Sequence, residues 1–326
     1  MTLTTQRPRI GIIGTGAIGG FYGLMLARAG FDVHFLLRSE FAAVCRQGLR
    51  VDSQVHGPLL LAPVNAHRSV ADMPPCDWLL VGAKSTSNAD LAPLIAQAAA
   101  PGARIVLLQN GLGVEDQLRA LLPETLHILG GLCFIAVYRQ APGVVVHQSG
   151  GAVNLGYHSG PASESAQRQA VVEEGAALLR AAGVDSQAMA DLQQARWQKL
   201  VWNVPYNGLS VVLQAGTGAL MNDPAVRELI VSLMNEVIQG AAACGHVLPE
   251  QYAQTLFSFT EKMPDYWPSM YLDYRERRPL ELQAIYEAPL NAARVAGCDM
   301  PQVRMLYQAL TFIDRRQRAD VPAALA

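Results

Sequence analysis

Lys199, Asn203 and Asn207 stand in the run Gln198-Lys199-Leu200-Val201-Trp202-Asn203-Val204-Pro205-Tyr206-Asn207-Gly208, which is otherwise apolar and aromatic. Their i, i+4, i+8 spacing puts one ammonium and two carboxamides on a single face of a helix. A solvated face would not need Leu200, Val201, Trp202 and Val204 crowded around it. An ammonium among apolar groups has its pKa lowered toward neutrality, where it works as a general acid, and carboxamides beside it can orient an acceptor. The lysine count points the same way. Of 25 basic residues only three are lysines, Lys84, Lys199 and Lys262. A chain that uses arginine as its ordinary cation keeps lysine for what arginine cannot do, namely donate a proton. Lys262, flanked by polar residues, reads as incidental.

A second segment, "PSMYLDYRERRPLELQAIYEAP", carries Ser269 and Glu281. Pro279 is expected to open a helix, with Glu281 in its first turn, where the positive helix end favours the ionised carboxylate. Glu281 then suits the role of acceptor for a substrate hydroxyl or counter-charge to Lys199. Ser269 could donate to a carboxylate or cap the helix that follows. Pro205 is expected to kink its helix and free backbone groups beside the stripe.

These groups need elements to hold them. "RPRIGIIGTGAIGGFYGLMLARAGFDVHFLLRSE" reads as strand, glycine turn, helix, strand. The turn runs from Gly14 through Thr15, Gly16, Ala17 and Ile18 to Gly19, a GxGxxG with a buried strand before it and a helix after it. In that context the glycines permit close backbone approach to a pyrophosphate, and the helix N-terminus supplies N–H groups for the anion. A dinucleotide cofactor is therefore expected. The second strand ends in Leu37-Arg38-Ser39 rather than in an acidic residue, so Arg38 is placed on a 2′-phosphate and the cofactor is read as NADP(H); Glu40 complicates that assignment. Lys84 and Asn110 each follow a strand at its C-terminal end, where ligands of such sheets bind. Reducing a carbonyl also needs a proton donor. None of the seven histidines lies in an apolar run beside an acid in the helical half, which leaves Lys199.

Strand runs at Trp78–Gly82, Arg104–Leu108 and His127–Ile135 alternate with helices over Ala89–Ala100 and Val114–Leu122. That pattern predicts an α/β fold, an N-terminal Rossmann-type doubly wound, mostly parallel sheet, followed by an all-helical C-terminal domain. Val144–Gln148 and Ala152–Tyr157, joined by Ser-Gly-Gly, are expected to form a closing hairpin on the sheet edge. Strand signals fade after a helix ending near Arg180, and Asp223-Pro224 makes a good cap and first residue for a helix running to Cys244. The division is placed at 1–188, a cofactor domain, and 189–326, a helical substrate and catalytic domain.

Composition narrows the class. Half of the 326 residues are hydrophobic, 16% are charged and the net charge is −2, which argues against a nucleic-acid partner. No apolar run reaches spanning length and the first nine residues lack a signal-peptide core, so a cytoplasmic location is expected and no membrane. Five scattered cysteines without CxxC spacing predict reduced thiols and no metal site. Long apolar helices in the second half would suit a homodimer.

Together "QNGLG", "WQKLVWNVPYNGLS" and the step from Ser269 to Glu281 resemble the ketopantoate reductase family over essentially the whole chain. The resemblance implies reduction of 2-oxopantoate to pantoate with NADPH, in supply of pantothenate. It also implies that Lys199 is the general acid, that Asn110, Asn203, Asn207, Ser269 and Glu281 hold substrate or shape the site, that Arg38 meets the 2′-phosphate and that Lys84 lines the cleft. The chain departs from the family pattern after Glu281: Gln283, Tyr286 and Glu287 replace an Asp and an Asn-Gly pair, and Pro289 interrupts a helix. Those changes leave open another small 2-oxo acid as substrate. A β-hydroxyacid or glycerol-3-phosphate type dehydrogenase, an opine-type imine reductase and a non-catalytic NADP-sensing protein are the remaining readings. The expected mechanism places the substrate between the domains, hydride arriving at the keto carbon and the Lys199 proton at the oxygen.

Overall fold

Ile10 to Ile13 have no polar side chain to offer solvent, and they form a strand, β1 (Arg9–Ile13), with a parallel neighbour on each side. The computed structural model of the chain describes residues 7–319. They divide into two compact units, one running to Gln109 and resuming over Val114–Leu192, the other made of Asn110–Gly113 and the chain from Gln193 onward.

In the first unit β1 leads into α1 (Ala17–Arg28), β2 (Asp32–Leu36), α2 (Phe41–Gln47), β3 (Leu49–Ser53), β4 (Gly57–Leu61) and β5 (Asn65–His67). It continues through β6 (Cys76–Val81), α3 (Asn88–Ala98), β7 (Ala99–Leu107), α4 (Val114–Arg119), β8 (His127–Ala141), β9 (Val144–Ser159) and α5 (Ser165–Ala181). The strands make one sheet in the order β4-β3-β9-β8-β7-β6-β1-β2-β5. All pairs are parallel except β3–β4 and β8–β9. The fold is the Rossmann-type, mostly parallel α/β sheet that the alternation predicts, and the chain reverses its direction of winding at β1, beside which ligands of such sheets bind.

Three expectations about this unit change. The segment read as a hairpin at 144–157 is the single strand β9, and Gly150 and Gly151, at φ 74° and 133°, make a bulge in it rather than a reversal. Glycines in a strand accommodate an extra residue as readily as they turn a chain, and the long partner β8 decides between the two here. The hairpin is instead β8–β9, turning at Gly143. Nor is β9 an edge, because β3 pairs parallel with it and β4 closes that side. The short strands β3, β4 and β5 have no counterpart in the sequence reading.

The second unit is helical: α6 (Leu192–Leu213), α7 (Thr217–Asn222), α8 (Pro224–Ala243), α9 (Tyr252–Glu261), α10 (Ser269–Arg275), α11 (Ala288–Val295) and α12 (Pro301–Ala319). Its core gathers on α6, where Trp197, Leu200, Val201, Val204 and Tyr206 are each at most 1% exposed. The Asp223 side chain accepts from Val226 N–H at 3.0 Å and caps α8 as expected. No helix of the described residues is long and apolar enough to cross a membrane.

Prolines other than Pro205 account for the corrections in this unit. Helix α6 runs through Pro205 without a break. Pro279 does not open a helix; it lies in a link, and helix begins at Leu282, immediately after Glu281. Ser269 is the first residue of α10 and Pro268 takes the cap position, so no side chain caps that helix. Pro289 sits in the first turn of α11, and the five residues before it, Gln283–Glu287, form a π turn. A proline removes an N–H and crowds the carbonyl four residues back, and the wider turn gives that carbonyl room. The interruption is absorbed without ending the helix.

Candidate active site

In the first unit the register of three parallel strands gathers the predicted cofactor residues on one rim. Ile13 pairs with both Leu36 and Val81, so the segments that follow, Gly14–Gly19, Leu37–Arg38 and Gly82–Lys84, leave the sheet side by side. Thr15 Oγ1 donates to Leu36 O at 3.1 Å and ties the glycine turn to the end of β2. The three glycines have different reasons. A Cβ on Gly14, at φ 87°, would stand 2.5 Å from Ala83 N, and one on Gly19 would stand 2.3 Å from Gly14 O, so both are set by close packing. A Cβ on Gly16 would meet nothing within 4 Å. Gly16 is the N-cap of α1 and no side chain caps that helix. Open space in front of uncapped N–H groups, with Ala17 and Ile18 opening the helix, fits a phosphate anion.

Arg38 is exposed at this rim, whereas Glu40 is only 6% exposed. The two Glu40 carboxylate oxygens are engaged by other groups, one accepting from Arg139 at 2.6 Å and the other from Gly143 N–H at 3.0 Å. Lys84 is half-buried, directly after Ala83, whose carbonyl accepts from Gln109 Nε2 at 3.0 Å.

In the second unit two distant segments meet the middle of α6, and a third packs against one of them. Lys199 is half-buried, while Asn203 and Asn207 are 5% and 2% exposed. Asn207 Oδ1 accepts from Met270 N–H at 3.2 Å, which brings the start of α10, and with it Ser269, to the stripe. Glu281, 3% exposed, precedes the π turn. From that turn Tyr286 donates its hydroxyl to Val204 O at 2.8 Å. The same hydroxyl accepts from Gly208 N–H, and burial pushes its pKa well above the ordinary phenol value although that N–H draws it down. Tyr286 thus threads its oxygen into the α6 ladder between Val204 and Gly208, the residues that follow Asn203 and Asn207. A Cβ on Gly208 would lie 2.5 Å from that oxygen, so the glycine makes room for it. Near this point Asn203 Nδ2 is buried and without a hydrogen-bond partner among the described residues.

The third segment is Asn110–Gly113. Leu112 N–H donates to Ala284 O at 2.8 Å, and a Cβ on Gly111, at φ 98°, would stand 2.5 Å from that oxygen. The turn that reads in sequence as part of the sheet is therefore built against the π turn of the helical unit, and Asn110 belongs there. Tyr286 was not among the predicted site residues. Its signal was Gly208, a glycine inside an apolar helix, which marks the close approach of another group. Of the departures after Glu281, Gln283 and Glu287 are exposed, and Tyr286, wholly buried, is the one that reaches α6.

Residues 10–160 match the family model described as Ketopantoate reductase PanE/ApbA, and residues 191–314 match Ketopantoate reductase PanE/ApbA C terminal. A 2-dehydropantoate 2-reductase of Nostoc sp. is 42% identical over 310 residues, covering 94% of this chain and 95% of that one. The crystal structure of 2-dehydropantoate 2-reductase from Geobacter metallireducens superposes with a TM-score of 0.86 at 39% identity, over 93% of this chain and 99% of that one. That from Methylococcus capsulatus does so at 0.83 and 33%, over 97% and 99%.

Proposed function

The chain belongs to the ketopantoate reductase family, and from that premise we propose that it reduces 2-dehydropantoate to pantoate, taking NADPH in preference to NADH, with Lys199 as proton donor. The observation that carries this reading is the orphan amide of Asn203, one helical turn from Lys199 and one from Asn207. A buried donor left without an acceptor costs about 1–3 kcal/mol, and a substrate oxygen placed against it would remove that cost. The nicotinamide ring, when bound, supplies a hydride to the keto carbon.

The chain's own residues supply the rest. Lys199 Nζ gives its proton to the keto oxygen as negative charge develops there. Asn203 Nδ2 donates to a substrate oxygen, while Asn207, held by Met270 N–H, keeps its amide in one orientation. Ser269 donates to the substrate carboxylate, and Glu281 accepts from a substrate hydroxyl. The Gly14–Gly19 turn and Lys84 receive the cofactor phosphates, and Asn110 contributes to holding cofactor and substrate. Engagement of Glu40 by Arg139 and Gly143 supports the preference for NADPH, because it takes away the carboxylate that would bind a ribose 2′-hydroxyl and leaves Arg38 for a 2′-phosphate. The activity would place the protein in the supply of pantothenate.

Oxidation of NADPH and of NADH by 2-dehydropantoate, followed by absorbance, tests the proposal. NADPH is expected to be consumed much faster, and Arg38→Ser to raise the KM for NADPH by about tenfold or more with little change for NADH. Failure to oxidise either cofactor with 2-dehydropantoate would overturn the substrate. Equal use of the two would overturn the role of Arg38.

A further inference from the structure

Outside the site just described, the ends of α10 and α12 form an open surface cavity of about 500 Å³ lined by Tyr274, Arg275, Arg277, Phe312, Arg316 and Gln317. Its electrostatics are lopsided. The local carboxylates are committed elsewhere: Asp273 and Glu276 both pair with Arg278, and Asp314 takes Arg318 at 2.9 Å and Leu280 N–H at 3.0 Å. Arg275, Arg277 and Arg316 have no ion pair among the described residues, so three guanidinium groups face one cavity uncompensated in a chain whose net charge is −2. Like charges gathered this way repel one another and gain nothing from the fold.

Two further features set the place apart from an ordinary basic surface. Arg277 holds φ 55°, a left-handed conformation that a non-glycine residue adopts at a cost and that recurs at ligand clamps. Phe312 leaves 65% of its surface exposed at the cavity wall, which Tyr274 also lines. Guanidinium groups bind phosphate oxygens two at a time, and flat apolar rings offer stacking faces. The volume lies in the range of small-molecule sites.

We propose that this cavity binds a nucleoside diphosphate or a metabolite of the same build, its phosphates on Arg275, Arg277 and Arg316 and its planar ring against Phe312 and Tyr274. Ser269 and Arg275 stand at opposite ends of α10, about 9 Å apart along its axis at 1.5 Å per residue, so the ligand would not occupy the α6 stripe.

Calorimetric titration of the full chain with ADP and with inorganic pyrophosphate tests this. On the function proposed above the glycine turn would also take ADP, so the titration is repeated in Gly16→Val, where the added side chain fills the open space over that turn. The expected result is two ADP sites in the unaltered protein and one in Gly16→Val. That remaining affinity should fall at least tenfold when Arg277→Ala and Arg316→Ala are added. Phe312→Ala should weaken ADP several-fold and leave pyrophosphate unchanged. All of these side chains are on the surface, so the variants should fold. ADP binding that survives loss of both arginines would overturn the proposal. So would pyrophosphate binding as tightly as ADP with Phe312→Ala affecting neither, or an arginine-dependent affinity for a single-stranded RNA oligomer in place of ADP.

Discussion

The glycine turn of the first unit and the polar stripe of the second are both polar places set in apolar surroundings, but they are built differently. The turn is a local object. Strand, turn and helix are contiguous, and backbone groups do the holding, with Thr15 and the Gly82–Lys84 segment as near neighbours on the rim. The stripe is a composite. Helix α6 presents three side chains, and their setting is completed by Met270 and by Tyr286, whose π turn is braced by a four-residue excursion, Asn110–Gly113, from the other half of the sequence. A backbone cradle tolerates change in most side chains around it but not loss of its open space. A side-chain cluster is sensitive wherever one of its distant supports is removed.

The largest test of that contrast is Lys199→Ala. It should lower kcat by about 10²–10⁴-fold, the usual contribution of a positioned general acid, while the Kd for NADPH measured by fluorescence stays unchanged. Retention of near-full turnover would break the assignment of Lys199. Gly16→Val should do the reverse. Nothing lies within 4 Å of the new Cβ, so thermal stability should hold while NADPH affinity drops by about tenfold or more as the side chain enters the anion's space. The same kind of change at Gly111, where a Cβ meets Ala284 O at 2.5 Å, should instead lower the Tm, because that glycine serves packing.

Tyr286→Phe sharpens the comparison at smaller amplitude. It strips the hydroxyl from Val204 O and leaves a buried carbonyl short of a partner, which should cost about 1–3 kcal/mol in denaturant unfolding. If Tyr286 positions the stripe, kcat should fall as well while NADPH binding does not. A loss of stability with kinetics intact would confine Tyr286 to the scaffold.

The smallest effect distinguishes the units by pH. His34, His127 and His147 all lie in the first unit, and burial pushes the pKa of each below the ordinary histidine value; His67 and Arg9 reinforce this at His34 while Asp32 opposes it. The unfolded chain takes up these protons near pH 6.5 and the folded one only at lower pH, so stability falls as the pH drops below about 6.5. His34 Nδ1 and His67 Nε2, 2.9 Å apart, also cannot both carry a proton and keep their hydrogen bond. Hydrogen exchange at pH 5.5 against pH 7.5 should therefore show more loss of protection in the sheet than in the helices. Equal loss in the two units would count against this account.

Much of this was legible in advance. β1, the glycine turn and α1 could be read because period, glycine spacing and helix start agree within thirty residues. Lys199, Asn203 and Asn207 could be read because helical spacing alone puts them on one face. The bulge in β9 could not, since Gly150 and Gly151 look the same in a turn. The π turn before Pro289 could not either, since a proline in a helical pattern signals a stop unless something widens the turn.

Local chemistry thus determined, from the sequence by itself, the sheet's beginning, the anion cradle and the identity of the polar stripe, for these depend on neighbours in the chain. Only the tertiary structure decided that Glu40 is spent on Arg139, that Gly111 packs on Ala284, and that Tyr286 enters the α6 ladder at Gly208. Each of those joins groups dozens of residues or more apart, and no periodicity records a contact whose partners are brought together only when the core closes.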